Sequence, residues 1–220
     1  MAVIDCPAVS PLTLRCIYAC DRLRFWLKRW RRRPLWVTGA GVSPNFRLAE
    51  VFAEPGARLE LRDHVCTERR RGNVLSLYRD SVVVLGERSW LRTDCGTNRI
   101  TAYRGARIEV GPDSLLNGAM LHAKRHIRIG REARLGFGVR VLDADLHDLD
   151  CENAERVEPV EIGDRVWIGA DVLVLRGVRI GDDVVVAAGA IVTRDLPSRC
   201  LAMGSPAKPV RDIAPRTGCS

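Results

Sequence analysis

From Ile162 onward an aliphatic residue returns every six positions without a slip: Ile162, Ile168, Val174, Ile180, Val186 and Val192. Short residues keep a second six-residue register at Val166, Val172, Val178, Val184 and Ala190. Upstream, Ile129, Leu135 and Val141 repeat the spacing, with weaker echoes at Val110, Leu116 and His122 and at Leu85 and Leu91. A period of six is not the 3.6 of an α-helix, and the β-branched bias favours extended chain. Six residues make one short strand and one corner, so three units close a triangular coil of about 18 residues. The first register then fills the interior and the second is held small at the corners. Stacked coils pair as parallel strands about 4.8 Å apart, and Gly163-Asp164, Gly169-Ala170 and Gly181-Asp182 suit the turns. The period therefore predicts an all-β chain, a parallel β-helix of roughly six or seven coils and about 30 Å length.

The 220 residues divide accordingly into an arm over 1–36, a connector and first irregular coil over 37–58, the repeat over 59–200 and a tail over 201–220. With 46% hydrophobic residues the chain can fill a core of this size. No run approaches the roughly 20 apolar residues of a membrane span, and the first residues lack a secretory leader pattern, so a cytoplasmic protein is expected. The eight cysteines (Cys6, Cys16, Cys20, Cys66, Cys95, Cys151, Cys200 and Cys219) show neither CxxC pairs nor finger-like spacing. They are expected to be mostly small buried residues, with neither a disulfide framework nor a zinc ribbon. The formal charge of +8 is concentrated in the arm, where eight Arg/Lys face only Asp5 and Asp21. The remainder is near neutral, which gives nucleic-acid binding little support. The arm has helical spacing instead: Cys16, Cys20, Leu23, Leu27 and Trp30 form one stripe, and Pro34 ends it. A basic amphipathic helix over 12–33, carrying Phe25, Trp26 and Trp30, suits an anionic membrane surface or a neighbouring subunit.

The segments "VWIGA", "AAGAIVT" and "GSPAKPVR" within residues 162–211 resemble the hexapeptide-repeat acyltransferases, specifically the sugar and polysaccharide O-acetyltransferases. The likeness is close from Ile129 to Arg211 and loose before that, and Ser205 stands where the family's closing segment usually has asparagine. The resemblance implies a left-handed β-helix working as a homotrimer, with acetyl-CoA as acetyl donor, a saccharide acceptor, a role in polysaccharide biosynthesis and no metal. Connections are otherwise overwhelmingly right-handed, so handedness rests on the resemblance alone.

The ladder breaks at "DADLHDLD", residues 143–150. Six residues beyond Val141 the core position falls on His147, and the small position falls on Asp145. Burying an unpaired imidazole and carboxylate would cost several kcal/mol, so the chain is expected to leave the coil in a polar loop over 147–160. In the family such a loop carries the catalytic histidine into a cleft between subunits, and the resemblance assigns that role to His147. An imidazole with an ordinary pKa near 6.5 is matched to taking a proton from a hydroxyl that attacks a thioester. Asp143 or Asp145 would fix its tautomer. His122 and His126 read instead as structural or surface residues.

By the same resemblance Asn117 reaches the acceptor, and Trp167 adjoins both acceptor and acetyl-CoA. Gly169, Ala170, Ala187, Ala188 and Gly189 line the coenzyme groove, while Arg194, Lys208 and Arg211 approach the coenzyme's phosphates. The small residues also satisfy ordinary corner geometry. Trp167 directly precedes a core isoleucine and so points outward. No glycine-rich nucleotide loop precedes a helix, so ATP and NAD are not expected. The competing readings are an amino-sugar N-acetyltransferase or antibiotic acetyltransferase, a non-catalytic scaffold, and a zinc enzyme using His122, His126 and His147. The last is disfavoured because the first two share one short strand and corner.

Overall fold

Residues 36–68 and 72–217 are described by a computed structural model of the chain. The basic arm expected to be helical lies outside the described residues. Among the described residues, twenty-two short strands and one 3-10 helix, Pro44–Leu48, follow one another in chain order. The strands assemble into three sheets of seven, eight and seven strands. Every neighbouring pair is parallel except the last in the second sheet, where Ala207–Asp212 runs antiparallel to Cys200–Gly204. Each full coil visits the first, second and third sheets in turn, as with Arg58–Leu61, Cys66–Thr67 and Asn73–Leu77. The result is the expected three-sided parallel β-helix, with seven rungs on the first and third sides.

One continuous core runs the length of the prism from Phe46 to Ala207. Both six-residue registers contribute to it. Ile168 and Val174 are fully buried as expected, but Val166, Val172 and Val184, expected only as short corner residues, are buried as completely. The corner from the first to the second sheet closes because glycine stands at its start. A Cβ on Gly86 would lie 2.5 Å from the Gly111 carbonyl carbon, and one on Gly111 would lie 2.4 Å from that of Gly130.

Coil length explains why the period fades toward the N-terminus. Ile162 pairs with Ile180, a step of 18 residues, whereas Leu59 pairs with Val83 and Val83 with Ile108, steps of 24 and 25. The longer coils have wider corners filled by buried polar side chains. Asn73 Nδ2 donates to Thr67 Oγ1 (2.7 Å), Asn98 Nδ2 donates to Asn73 Oδ1 (3.0 Å), and Asn98 Oδ1 accepts from the Ala119 backbone N–H (3.0 Å). Such a ladder is stable because each buried polar atom in it has a partner.

Three boundaries differ from the sequence reading. The connector already contains rungs: Trp36–Thr38 pairs with Arg58–Leu61, and Glu50–Ala53 pairs with Asn73–Leu77. The tail forms the antiparallel hairpin that ends the second sheet. The loop begins at Asp143, directly after strand Arg140–Leu142, and ends at Val160–Ile162. Among the described cysteines Cys66, Cys95, Cys151 and Cys200 are free, but only Cys200 is buried. The general expectation of buried thiols fails for Cys95 and Cys151 because both sit on segments that leave the coil. Cys95 follows strand Trp90–Arg92 at a widened corner, and Cys151 lies in the long loop.

Candidate functional site

The long loop leaves the prism at the corner from the third sheet to the first, and its base is rigid. Asp143 is completely buried. Its Oδ1 accepts the backbone N–H of Lys124, and its Oδ2 accepts those of Arg125 and His126, each at 2.7 Å. Those residues form the same corner one coil earlier, so a single carboxylate ties the loop's first residue to the rung below. An antiparallel bridge between Ala144 and Val157 closes the neck. Arg176, on the following coil, spans both limbs: Nε donates to Asp145 Oδ1 at 2.6 Å and Nη1 to Glu158 Oε1 at 3.3 Å. Burial is modest there, so these ion pairs fix position more than they add stability. Lys124 Nζ reaches Glu155 Oε2 at 2.7 Å from the rung below.

His147 sits on this braced loop, exposed. Neither aspartate named from the sequence is hydrogen-bonded to it. Asp143 has committed both oxygens to backbone donors, a role set by residues 17–19 positions earlier and invisible to a local motif. Asp145 gives one oxygen to Arg176 and is two residues from His147. The backbone at Leu146 is left-handed (φ 73°), turning the chain between them. His122 and His126 lie on different sides of the prism, on strands Met120–Ala123 and His126–Ile129. His126 Nε2 pairs with Glu109 at 3.0 Å. Burial, with a smaller contribution from Arg99, holds the His122 imidazole below its ordinary pKa. Among the described residues no group of three His, Cys, Asp or Glu is placed to hold a metal ion.

The other sequence-assigned residues gather on the second sheet and its corner toward the third. Register pairing carries Leu116 to Leu135, Ile168 and Val186, so the residues that follow, Asn117, Gly136, Gly169 and Ala187, form one column. Ala170 and Ala188 stand beside it, and Gly189 donates its N–H to the Ala170 carbonyl at 2.8 Å. Gly169 is required by stacking, since its Cβ would meet the Ala188 nitrogen at 2.7 Å, whereas a Cβ on Gly189 would meet nothing within 4 Å. The corner thus offers a shallow small-residue surface with exposed backbone at Ala188 and Gly189. Asn117 Nδ2 donates to Cys95 Sγ at 3.4 Å, and its Oδ1 is buried without a hydrogen-bond partner. Trp167 faces outward and is 48% exposed. Lys208 and Arg211 lie exposed on the final strand, while Arg194 follows strand Ile191–Val192 at the opposite corner.

In a triangular coil, the corner bearing the His147 loop is opposite the side bearing Trp167. Within one chain these residues therefore lie on different surfaces. The sequence reading also missed Arg216, whose guanidinium stacks over the Trp167 ring at 5.6 Å. It lies beyond the segment that carried the resemblance, and no local pattern links it to a residue 49 positions earlier. No helix among the described residues is long and apolar enough to cross a membrane.

Over residues 159–194 the chain matches the family described as the hexapeptide repeat of succinyl-transferase. It is 47% identical over 91 residues to a provisionally named acetyltransferase of Schizosaccharomyces pombe, a match covering 40% of this chain and 44% of that protein. A provisionally named acetyltransferase of Staphylococcus aureus strain COL is 47% identical over 62 residues, or 28% and 31% of the two chains. The matches span less than half the length of these curated relatives. Among solved structures the chain is similar to the polySia-specific acetyltransferase NeuO, with TM-score 0.52, 22% identity, and 86% and 92% of the two chains covered. It is also similar to AntD, an N-acyltransferase from Bacillus cereus solved with dTDP and coenzyme A, with TM-score 0.52, 14% identity, and 86% and 89% covered. At those identities the structures share the fold. Over the matched segments the chain is thus similar to hexapeptide-repeat acetyltransferases, and its three-sided parallel β-helix is the fold it shares with NeuO and AntD.

Proposed function

We propose that this protein transfers an acetyl group from acetyl-CoA to a hydroxyl of a saccharide, with His147 as general base. The observation that carries this reading is the loop over residues 143–159, which takes an exposed imidazole out of an otherwise regular coil on a buried, fully hydrogen-bonded base. A solvated structural loop does not need such bracing, whereas a proton-transfer group does. His147 takes the hydroxyl proton as the oxygen attacks the thioester carbonyl carbon. The carbon–sulfur bond then breaks, and the proton passes from His147 to the departing thiolate. Asp145, with one oxygen outside its Arg176 pair, is the carboxylate left to orient the imidazole. The small-residue corner at Ala170, Ala187 and Ala188 allows a pantetheine chain to approach the backbone, Lys208 and Arg211 supply cations for its phosphates from the same side, and Arg194, at the corner that bears the His147 loop, would reach them from a neighbouring copy.

Because Trp167 and the His147 loop occupy opposite surfaces of one prism, a site using both is assembled from two copies. A closed ring of left-handed helices, the homotrimer, satisfies this for every copy. Acetyl-CoA is a cytoplasmic metabolite, so the enzyme works on the cytoplasmic side, with residues 12–33 meeting the membrane surface where lipid-linked acceptors lie. Acetyl-CoA at 100 times its dissociation constant should stabilise the protein by about 2.7 kcal/mol. The corresponding rise in melting temperature, unchanged after EDTA treatment, is the expected result. No rise with acetyl-CoA would remove the donor from the account.

A further inference from the structure

On the outer face of the second sheet, register pairing places Trp90, Leu115, Arg134, Trp167, Val185 and Leu201 in one column along the prism. No carboxylate occurs in that column. Arg134 is one rung from Trp167, about 4.8 Å along the axis, and its side chain has no hydrogen-bond or ion-pair partner among the described residues. On the other side of Trp167 stands Arg216, brought back by the segment after the final hairpin.

Arg216 is held by its backbone and its Nε. Its N–H donates to Asp183 Oδ1 at 2.8 Å, and Nε donates to the Arg165 carbonyl at 3.0 Å. The guanidinium carbon lies over the Trp167 ring, 5.6 Å from its centre. Asp183 is nearly buried, and both of its oxygens are engaged by Arg165, at 2.7 and 3.0 Å. Arg165 first, with smaller contributions from the Arg216 backbone N–H and charge, keeps the Asp183 carboxyl below the usual carboxylate range, and Arg165 rather than Arg216 makes the side-chain ion pair with it. Both Nη groups of Arg216 are without partners among the described residues. A planar cation fixed by two anchors, stacked on an exposed tryptophan and left with its outer fork open, is arranged to receive an oxyanion in bidentate fashion.

We infer that Arg134 and Arg216 flank Trp167 as an anion-binding subsite that takes a phosphate or carboxylate of a bound ligand. The inference rests on the acetyl-transfer reading for where such a ligand comes from: the coenzyme's phosphates, or an acidic group on the saccharide acceptor. It extends the site beyond the residues assigned to it so far and gives the acceptor, in the second case, a charge class.

The test measures affinities by calorimetry on the full chain and on Arg134→Gln and Arg216→Gln. The ligands are coenzyme A, pantetheine without the nucleotide phosphates, a uronic-acid oligosaccharide and a neutral glucose oligosaccharide of equal length. Each variant should lose about tenfold in affinity for one anionic ligand while its binding of the matching neutral ligand stays within twofold. Loss confined to coenzyme A assigns the subsite to the donor, and loss confined to the uronic-acid oligosaccharide assigns it to the acceptor. Arg216→Lys, which keeps the charge and loses the fork, should recover part of the affinity. Both Gln variants binding every anionic ligand within twofold of the parent would overturn the inference, as would an equal loss for charged and neutral ligands. Failure of the parent chain to bind coenzyme A at all would instead count against the acetyl-transfer reading, and the oligosaccharide pair would still decide the subsite.

Discussion

Replacing His147 with alanine is expected to lower kcat by about 10³-fold while leaving acetyl-CoA affinity within twofold. On the proposed mechanism the two readouts separate, because the imidazole would act on the hydroxyl proton while the proposed coenzyme surface is built mainly from the second sheet and its corner toward the third. His147 is exposed on the loop, so its removal opens no cavity, and the melting temperature should stay within about 2 °C. Steady-state kinetics at saturating acetyl-CoA, with calorimetry for coenzyme binding, checks both halves. A variant with undiminished kcat would remove His147 from the chemistry.

The second large effect is structural. Asp143→Ala should destabilise the protein by about 3–5 kcal/mol, because three backbone N–H groups on Lys124, Arg125 and His126 lose the charged acceptor that the buried carboxylate gives them. For a repeat of this length that corresponds to a melting temperature lower by roughly 10 °C. Asp143→Asn keeps the shape and one acceptor oxygen, so its loss should be smaller. Differential scanning calorimetry of the two variants measures the order. Equal stability of Asp143→Ala and the parent would show that the neck does not depend on this carboxylate. A large fall also means that lost activity in Asp143→Ala reports a displaced loop, not a missing partner for His147.

The fold was most legible where the coils are shortest. At 18 residues per coil from Ile162 onward, the interior positions recur every six residues and one sequence period describes the architecture. In the earlier coils the corners are wider and their interiors are filled by Thr67, Asn73 and Asn98, so a search for aliphatic spacing passes over rungs that are fully formed. The site divides in the same way. The exposed placements of His147 and Trp167 were legible because each breaks a rule: one puts an imidazole in an aliphatic register, the other puts a large aromatic ring on an outward position. Asp143 was legible as a residue but not as a role, because its donors come from the preceding rung. Arg176 and Arg216 were not legible, since each acts across coils on residues 31 and 49 positions away and belongs to no motif. A β-helix converts distances of one coil in sequence into direct contact, and side-chain contacts between coils carry no periodic signature.

The central claim is acetyl transfer to a saccharide hydroxyl, and saccharide-dependent release of free thiol from acetyl-CoA tests it most directly. A panel of neutral and acidic oligosaccharides should include one that accelerates thiol release, in step with formation of an alkali-labile acetyl ester. That release should be lost in His147→Ala. Thiol release independent of every saccharide, or equally fast in His147→Ala, would contradict the account.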